Sequence, residues 1–86
     1  MATQLTYVSA PDCHLCERGR TIVHDLAEEA SLDVVEVGWS DASARGLTER
    51  DGVPFPPALY LDDRLLGYGR LSERRLRKQL TGVVPV

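Results

Sequence analysis

The chain has only two cysteines, and they stand three apart in Ser9-Ala10-Pro11-Asp12-Cys13-His14-Leu15-Cys16, where the apolar run Leu5 to Val8 gives way to helical spacing. That order delivers a thiol to the first turn of a helix. Unpaired N–H groups and the macrodipole place roughly half a positive charge at such a helix start, which stabilises a thiolate. The thiolate is the form that attacks a disulfide. Cys13, the outer cysteine, is expected to be the nucleophile, and Cys16, one turn deeper, is expected to attack the mixed disulfide that Cys13 forms. Two plainer uses of such a pair fit less well. A structural disulfide closing so small a loop adds little stability. A structural zinc site wants four ligands, and beyond the cysteines the chain offers only His14 and His24, so no metal site is expected.

The rest of the chain reads as an α/β alternation. Gln4 to Ser9 carries Leu5, Tyr7 and Val8 and predicts a first strand. From Cys13 to Ala30 the apolar positions Leu15, Gly19, Ile22, Val23, Leu26, Ala27 and Ala30 follow a three-four spacing opposite Glu17, Arg18, Thr21, His24, Asp25, Glu28 and Glu29. This is one long amphipathic helix. Asp33 to Gly38 predicts a second strand, parallel to the first because a helix crosses between them. Ser40 or Asp41 can cap a short second helix reaching Arg50, which Asp51-Gly52 stops. After Val53-Pro54-Phe55-Pro56-Pro57, the runs Ala58 to Leu61 and Leu65 to Tyr68 flank Asp62-Asp63 as an antiparallel hairpin. Ser72 caps a last helix, with Leu71 and Leu76 at the positions of a hydrophobic staple.

At 86 residues, 43% hydrophobic and 27% charged, the chain is expected to form a single domain over residues 1–86. The net charge of −3 speaks against general nucleic-acid binding. Arg74, Arg75, Arg77 and Lys78 form a local basic cluster, read as the solvated face of the last helix, with docking of an acidic partner as the alternative. Neither a signal-peptide pattern nor a run of about 20 apolar residues is present, so no membrane association and a cytoplasmic location are expected. In that compartment a persistent disulfide is unusual and a catalytic one ordinary.

The element order strand, helix, strand, helix, strand, strand, helix, the Cys13-x-x-Cys16 pair opening the first helix and a proline leading into the third strand together resemble the glutaredoxin branch of the thioredoxin superfamily. The resemblance spans essentially the whole chain. It implies a thioredoxin-like fold with a four-stranded mixed sheet flanked by helices. It also implies a thiol-disulfide oxidoreductase acting on protein or low-molecular-weight disulfides, with Cys13 attacking and Cys16 resolving. No bound cofactor is implied, and the partners would be a disulfide-bearing protein or a small-molecule thiol, plus a separate electron donor, with the enzyme a monomer. The competing reading is a thioredoxin-like module holding a metal or an iron–sulfur cluster on the same two thiolates.

In that family a cis-proline faces the dithiol, and spacing from the Asp62-Asp63 turn favours Pro57. The residue before it ordinarily offers N–H and C=O to the substrate backbone, but here it is Pro56, which has no N–H. Either that hydrogen bond is missing, or Pro56 is itself cis and Phe55 supplies the donor. Glutaredoxins also hold glutathione through a Gly-Gly-x-Asp-Asp-like turn, whereas this chain has Gly67-Tyr68-Gly69-Arg70-Leu71-Ser72 without the aspartate, and Asp12 in place of a basic residue before the motif. Glutathione and a thioredoxin-reductase-type donor therefore stand as alternative reductants. Gly69 would let a ligand approach the backbone or serve a tight turn. His14 would favour a thiolate at Cys13, and Asp12 would oppose it or cap the helix. Arg20 is read as assisting a charged intermediate or as simply solvated.

Overall fold

The innermost strands carry the most apolar sequence. In the computed structural model, which describes residues 4–81, β1 (Gln4–Ser9) pairs in parallel with β2 (Asp33–Gly38) and antiparallel with β3 (Ala58–Leu61). β3 in turn pairs antiparallel with β4 (Arg64–Tyr68), giving a four-stranded mixed sheet of order β2-β1-β3-β4. The two-residue period of a strand then sorts the core into two layers. Leu5 and Tyr7 of β1 and Leu59 and Leu61 of β3 pack with Val23, Leu26 and Ala27 of α1 (His14–Ala30) and with Leu71, Leu76 and Leu80 at α3 (Glu73–Thr81). Val8, Ala58 and Tyr60 point the other way, onto Ala44 of α2 (Ala42–Arg50) and onto Val53. Helices thus cover both faces, and the expected element order and mixed sheet are what the chain forms.

The boundaries differ from the sequence reading by single residues, each for a local reason. Cys13 is the N-cap of α1 rather than its first helical residue, because its extended backbone (φ −125°, ψ 106°) leaves its sulfur to accept the Cys16 N–H. Asp41, not Ser40, caps α2, its carboxylate accepting the Ser43 N–H at 2.9 Å and the Ser43 hydroxyl at 2.6 Å. β4 begins at Arg64, one residue early, since Asp62 takes the left-handed conformation (φ 55°) that lets the chain reverse at once. The Ser72 hydroxyl accepts the Arg75 N–H at 3.3 Å, with Leu71 and Leu76 buried together beside it, so the predicted cap and staple are both present.

Two side chains depart from their expected places. Leu15 is 37% exposed, because the buried stripe of α1 runs through Cys16, Gly19, Val23, Leu26 and Ala27 and leaves its neighbour outside. Within the basic cluster, Arg77 is not merely solvated: it reaches Glu29 of α1 at 2.9 Å and Glu73 at 2.9 Å, tying α3 to α1. Exposed pairs of this kind contribute little each. Among the described residues, no helix is long and apolar enough to cross a membrane.

Gly19 is a close approach rather than an ordinary member of the stripe. A Cβ there would lie 2.5 Å from the Tyr7 hydroxyl and 3.2 Å from Leu71 Cδ1. Its absence lets the Tyr7 phenol pass beneath α1 and donate to the Cys16 carbonyl. Gly19→Ala is therefore expected to destabilise the chain by about 1–3 kcal/mol in urea unfolding, the usual cost of overpacking. Tyr7→Phe removes the clashing oxygen, so the double variant should lose clearly less than the two single losses added. Additive losses would show that the helix does not rest on the phenol.

Candidate active site

Strand register brings four loops to one end of the sheet. Val8 lies opposite Ala58 and Ala58 opposite Tyr68, while Ser9 lies opposite Gly38. The segments that follow β1, β2 and β4, and the one that precedes β3, therefore meet at that end. Backbone hydrogen bonds join them: Trp39 N–H donates to the Ser9 carbonyl at 2.7 Å and Gly69 N–H to the Pro57 carbonyl at 2.7 Å.

Cys13 and Cys16 stand at the head of α1 as a disulfide, with Cα atoms 5.1 Å apart. Cys16 is completely buried, while Cys13 is partly open to solvent. The Cys16 N–H donates to Cys13 Sγ at 3.1 Å, so the outer sulfur occupies the acceptor position that a Ser or Asp side chain takes at an ordinary helix start. An N–H directed at sulfur, at the positive end of a 17-residue helix, favours the anion over the neutral thiol once the disulfide is reduced.

The remaining sequence-derived positions separate into two groups. Phe55, Pro56, Pro57 and Gly69 form one wall. The cis peptide bond lies between Pro56 and Pro57, so Pro56 is the residue before it and offers a carbonyl but no N–H. Gly69 has φ +70°, and a Cβ on it would fall 2.9 Å from Phe55 Cε1. It thus serves both the turn and the close approach of the Phe55 ring. That ring meets Tyr68 edge to face, centroids 5.8 Å apart, and both stay open to solvent, 49% and 44% exposed. The other group makes no contact with the sulfur atoms by hydrogen bond. His14 points to solvent with its Nδ1 3.7 Å from Glu17, and Asp12 is exposed at φ 54°, leaving the cap to Cys13 itself.

Sequence reading missed the support beneath the dithiol. Arg20 is neither free nor directed at the sulfur atoms: its guanidinium holds Glu36 of β2 at 2.7 and 2.9 Å, and Ser9 donates to the same carboxylate at 2.6 Å. That pairing, Arg20 foremost, keeps the Glu36 carboxyl below its usual range. Tyr7 lies alongside; burial pushes its phenol up to about 12, with Arg20 opposing and Glu36 adding to the shift. An arginine one turn past the motif, beside a strand with an acid at its middle, was the available signal. Among the described residues, no group of three or more His, Cys, Asp or Glu side chains is placed to hold a metal ion.

This is the thioredoxin fold with a Cys-x-x-Cys disulfide at the head of its first helix. Solved structures that share the architecture include a mutant thioredoxin from Halobacterium salinarum, with a TM-score of 0.71 at 20% identity over 98% of this chain and 76% of that one. A thioredoxin-2 described as a component of malaria parasite protein secretion machinery gives 0.65 at 16% identity, over 94% and 82% of the two chains. Glutaredoxin 1 from Francisella tularensis, complexed with cacodylate, gives 0.53 at 18% identity, over 95% and 96%. No protein-family model matches the chain, and no curated protein sequence matches it.

The raised phenols set an alkaline limit on stability. The folded state keeps Tyr7 neutral up to about 12, as it does Tyr60, whose phenol burial likewise pushes up to about 12, while the unfolded chain ionises both near 10.0. Their contribution is full below pH 10 and is lost as the pH rises through the folded value, because the unfolded chain then binds fewer protons. Urea unfolding of the oxidised protein should show stability falling between pH 10 and 12, and Tyr7→Phe should flatten that slope. An unchanged slope would mean that the Tyr7 phenol is not shielded.

Proposed function

We propose that the protein is a thiol-disulfide oxidoreductase that reduces protein or low-molecular-weight disulfides, in the manner of glutaredoxins, through Cys13 and Cys16. The observation that carries this reading is the pairing of a partly open Cys13 sulfur, hydrogen-bonded by a helix-start N–H, with a fully buried Cys16 bonded to it. A structural disulfide needs neither the polarised N–H nor the difference in access.

In the reduced protein the Cys13 thiolate attacks one sulfur of the substrate disulfide. The substrate S–S bond breaks, one substrate thiolate leaves and takes a proton from water, and a mixed disulfide joins Cys13 to the other half. Cys16 then loses its proton and attacks Cys13 Sγ, which expels the second substrate thiol and closes the Cys13–Cys16 disulfide. Two electrons have passed from the dithiol to the substrate. A separate thiol or reductase donor returns them. Burial keeps Cys16 from outside disulfides, so the order of attack is set by access. Pro56 and Pro57 supply a wall along which a substrate strand can lie, with the Pro56 carbonyl as acceptor. The fold and the disulfide support this reading, and they leave glutathione and a reductase-type donor as alternative sources of electrons.

Cys13→Ser should abolish reduction of a model disulfide, and Cys16→Ser should accumulate a Cys13-linked mixed disulfide visible by mass under non-reducing conditions. Full activity of Cys13→Ser would overturn the assignment. Visible absorbance with bound iron, or zinc found by metal analysis of the purified protein, would favour the metal-holding reading instead.

A further inference from the structure

Beside the dithiol, between α1 and the segment leading into α3, a shallow recess of about 50 Å³ is lined by Leu15, Arg18, Gly19, Ile22, Arg70 and Leu71. Two of these six residues are cations. Arg20, Arg45, Arg50 and Arg77 are each paired with a carboxylate. Among the described residues, Arg18, Arg64, Arg70, Arg74 and Arg75 form no salt bridge, and of these Arg18 and Arg70 are the two that share this recess, whose lining contains no acid. Two like charges converging on one recess repel each other, and an anion placed between them relieves that repulsion. Arginine's planar fork favours a carboxylate in particular.

The geometry points to Arg18 and Arg70 as specificity-determining residues that receive an acidic side chain of a protein substrate next to the disulfide being reduced. This rests on the thiol-disulfide reading above. The recess adjoins the chemistry through Leu15, which stands between the two cysteines and is 37% exposed. Its volume exceeds the roughly 10–15 Å³ that admits one water, so a carboxylate head can enter it. A polypeptide is the occupant because the surface continues past the recess: Arg70 follows Gly69, against which Phe55 packs, and Phe55 and Tyr68 are 49% and 44% exposed. A small disulfide would leave those rings uncovered.

The test uses the full chain, reduced and freed of reductant, in single-turnover reaction with cyclic cystine peptides that differ only in having Glu, Gln or Lys beside the cystine. The Glu peptide should react about tenfold faster than the Gln peptide, near the lower end of what a charge-assisted hydrogen bond supplies. The Lys peptide should be slowest, and added salt should shrink the differences. Arg18→Gln together with Arg70→Gln should bring the Glu-to-Gln ratio close to one. Arg64→Gln, at the opposite end of the sheet, should leave the ratio as it is. Equal Glu and Gln rates, or a ratio that survives loss of both arginines, overturns the proposal. So does a charge preference confined to a small disulfide, dithiodipropionate over its diamide. Reduction of dithiodipropionate with no reduction of any peptide overturns this proposal alone, whereas failure to reduce either overturns the thiol-disulfide reading and this proposal with it.

Discussion

The hydroxyl of Tyr7, donating to the Cys16 carbonyl, fixes the first turn of α1 over the centre of the sheet. Everything else at the site is positioned from that turn. It sets Cys16 inside and Cys13 at the rim, and it aims the Cys16 N–H at the outer sulfur. The contact requires a phenol on the α1-facing side of β1 and the absence of a side chain at position 19. Arg20, Glu36 and Ser9 brace the same turn sideways against β2 and the end of β1. The surface arginine and acid contribute little to stability as a pair. Their effect is local: they hold the strand end from which the motif loop departs.

The sheet order and helix placement were readable because periodicity and burial agree. A strand interior to a mixed sheet must be apolar on both faces, and Leu5, Tyr7 and Val8 together satisfy that where the edge strand β2 alternates loosely. The hairpin was readable because Asp62 tolerates a positive φ. The expected single domain over 1–86 includes residues 1–3 and 82–86, which lie outside the described residues. What the sequence could not reveal was contact across elements. Gly19 looks like any small residue of a buried stripe until a phenol lies beneath it, and Arg20 looks like a solvated arginine until Glu36 faces it. Leu15 was misplaced for the converse reason: helical spacing accommodates either Leu15 or Cys16 on the core side, and the sulfur took the position.

The division of labour at the sheet end follows from which groups are backbone and which are side chain. Under the proposed function, the chemistry draws on a helix-start N–H and a buried sulfur, which Tyr7 and Gly19 hold in place from beneath. Recognition is different. Pro56 deletes the N–H that would otherwise join a substrate strand, so the backbone contributes an acceptor and one hydrogen bond fewer. Side chains must then supply more of the selectivity, and those exposed here are Phe55, Tyr68 and Leu15 with the unpaired cations Arg18 and Arg70. Apolar rings give contact area without direction, whereas two guanidinium forks give sign and geometry. Under the same proposal, a site that lacks a backbone donor and has two cations in a neighbouring recess shifts its discrimination from strand pairing toward charge. For a chain whose net charge is −3, an acidic substrate gains nothing from the protein's overall field, and the local pair of arginines has to supply the attraction at short range.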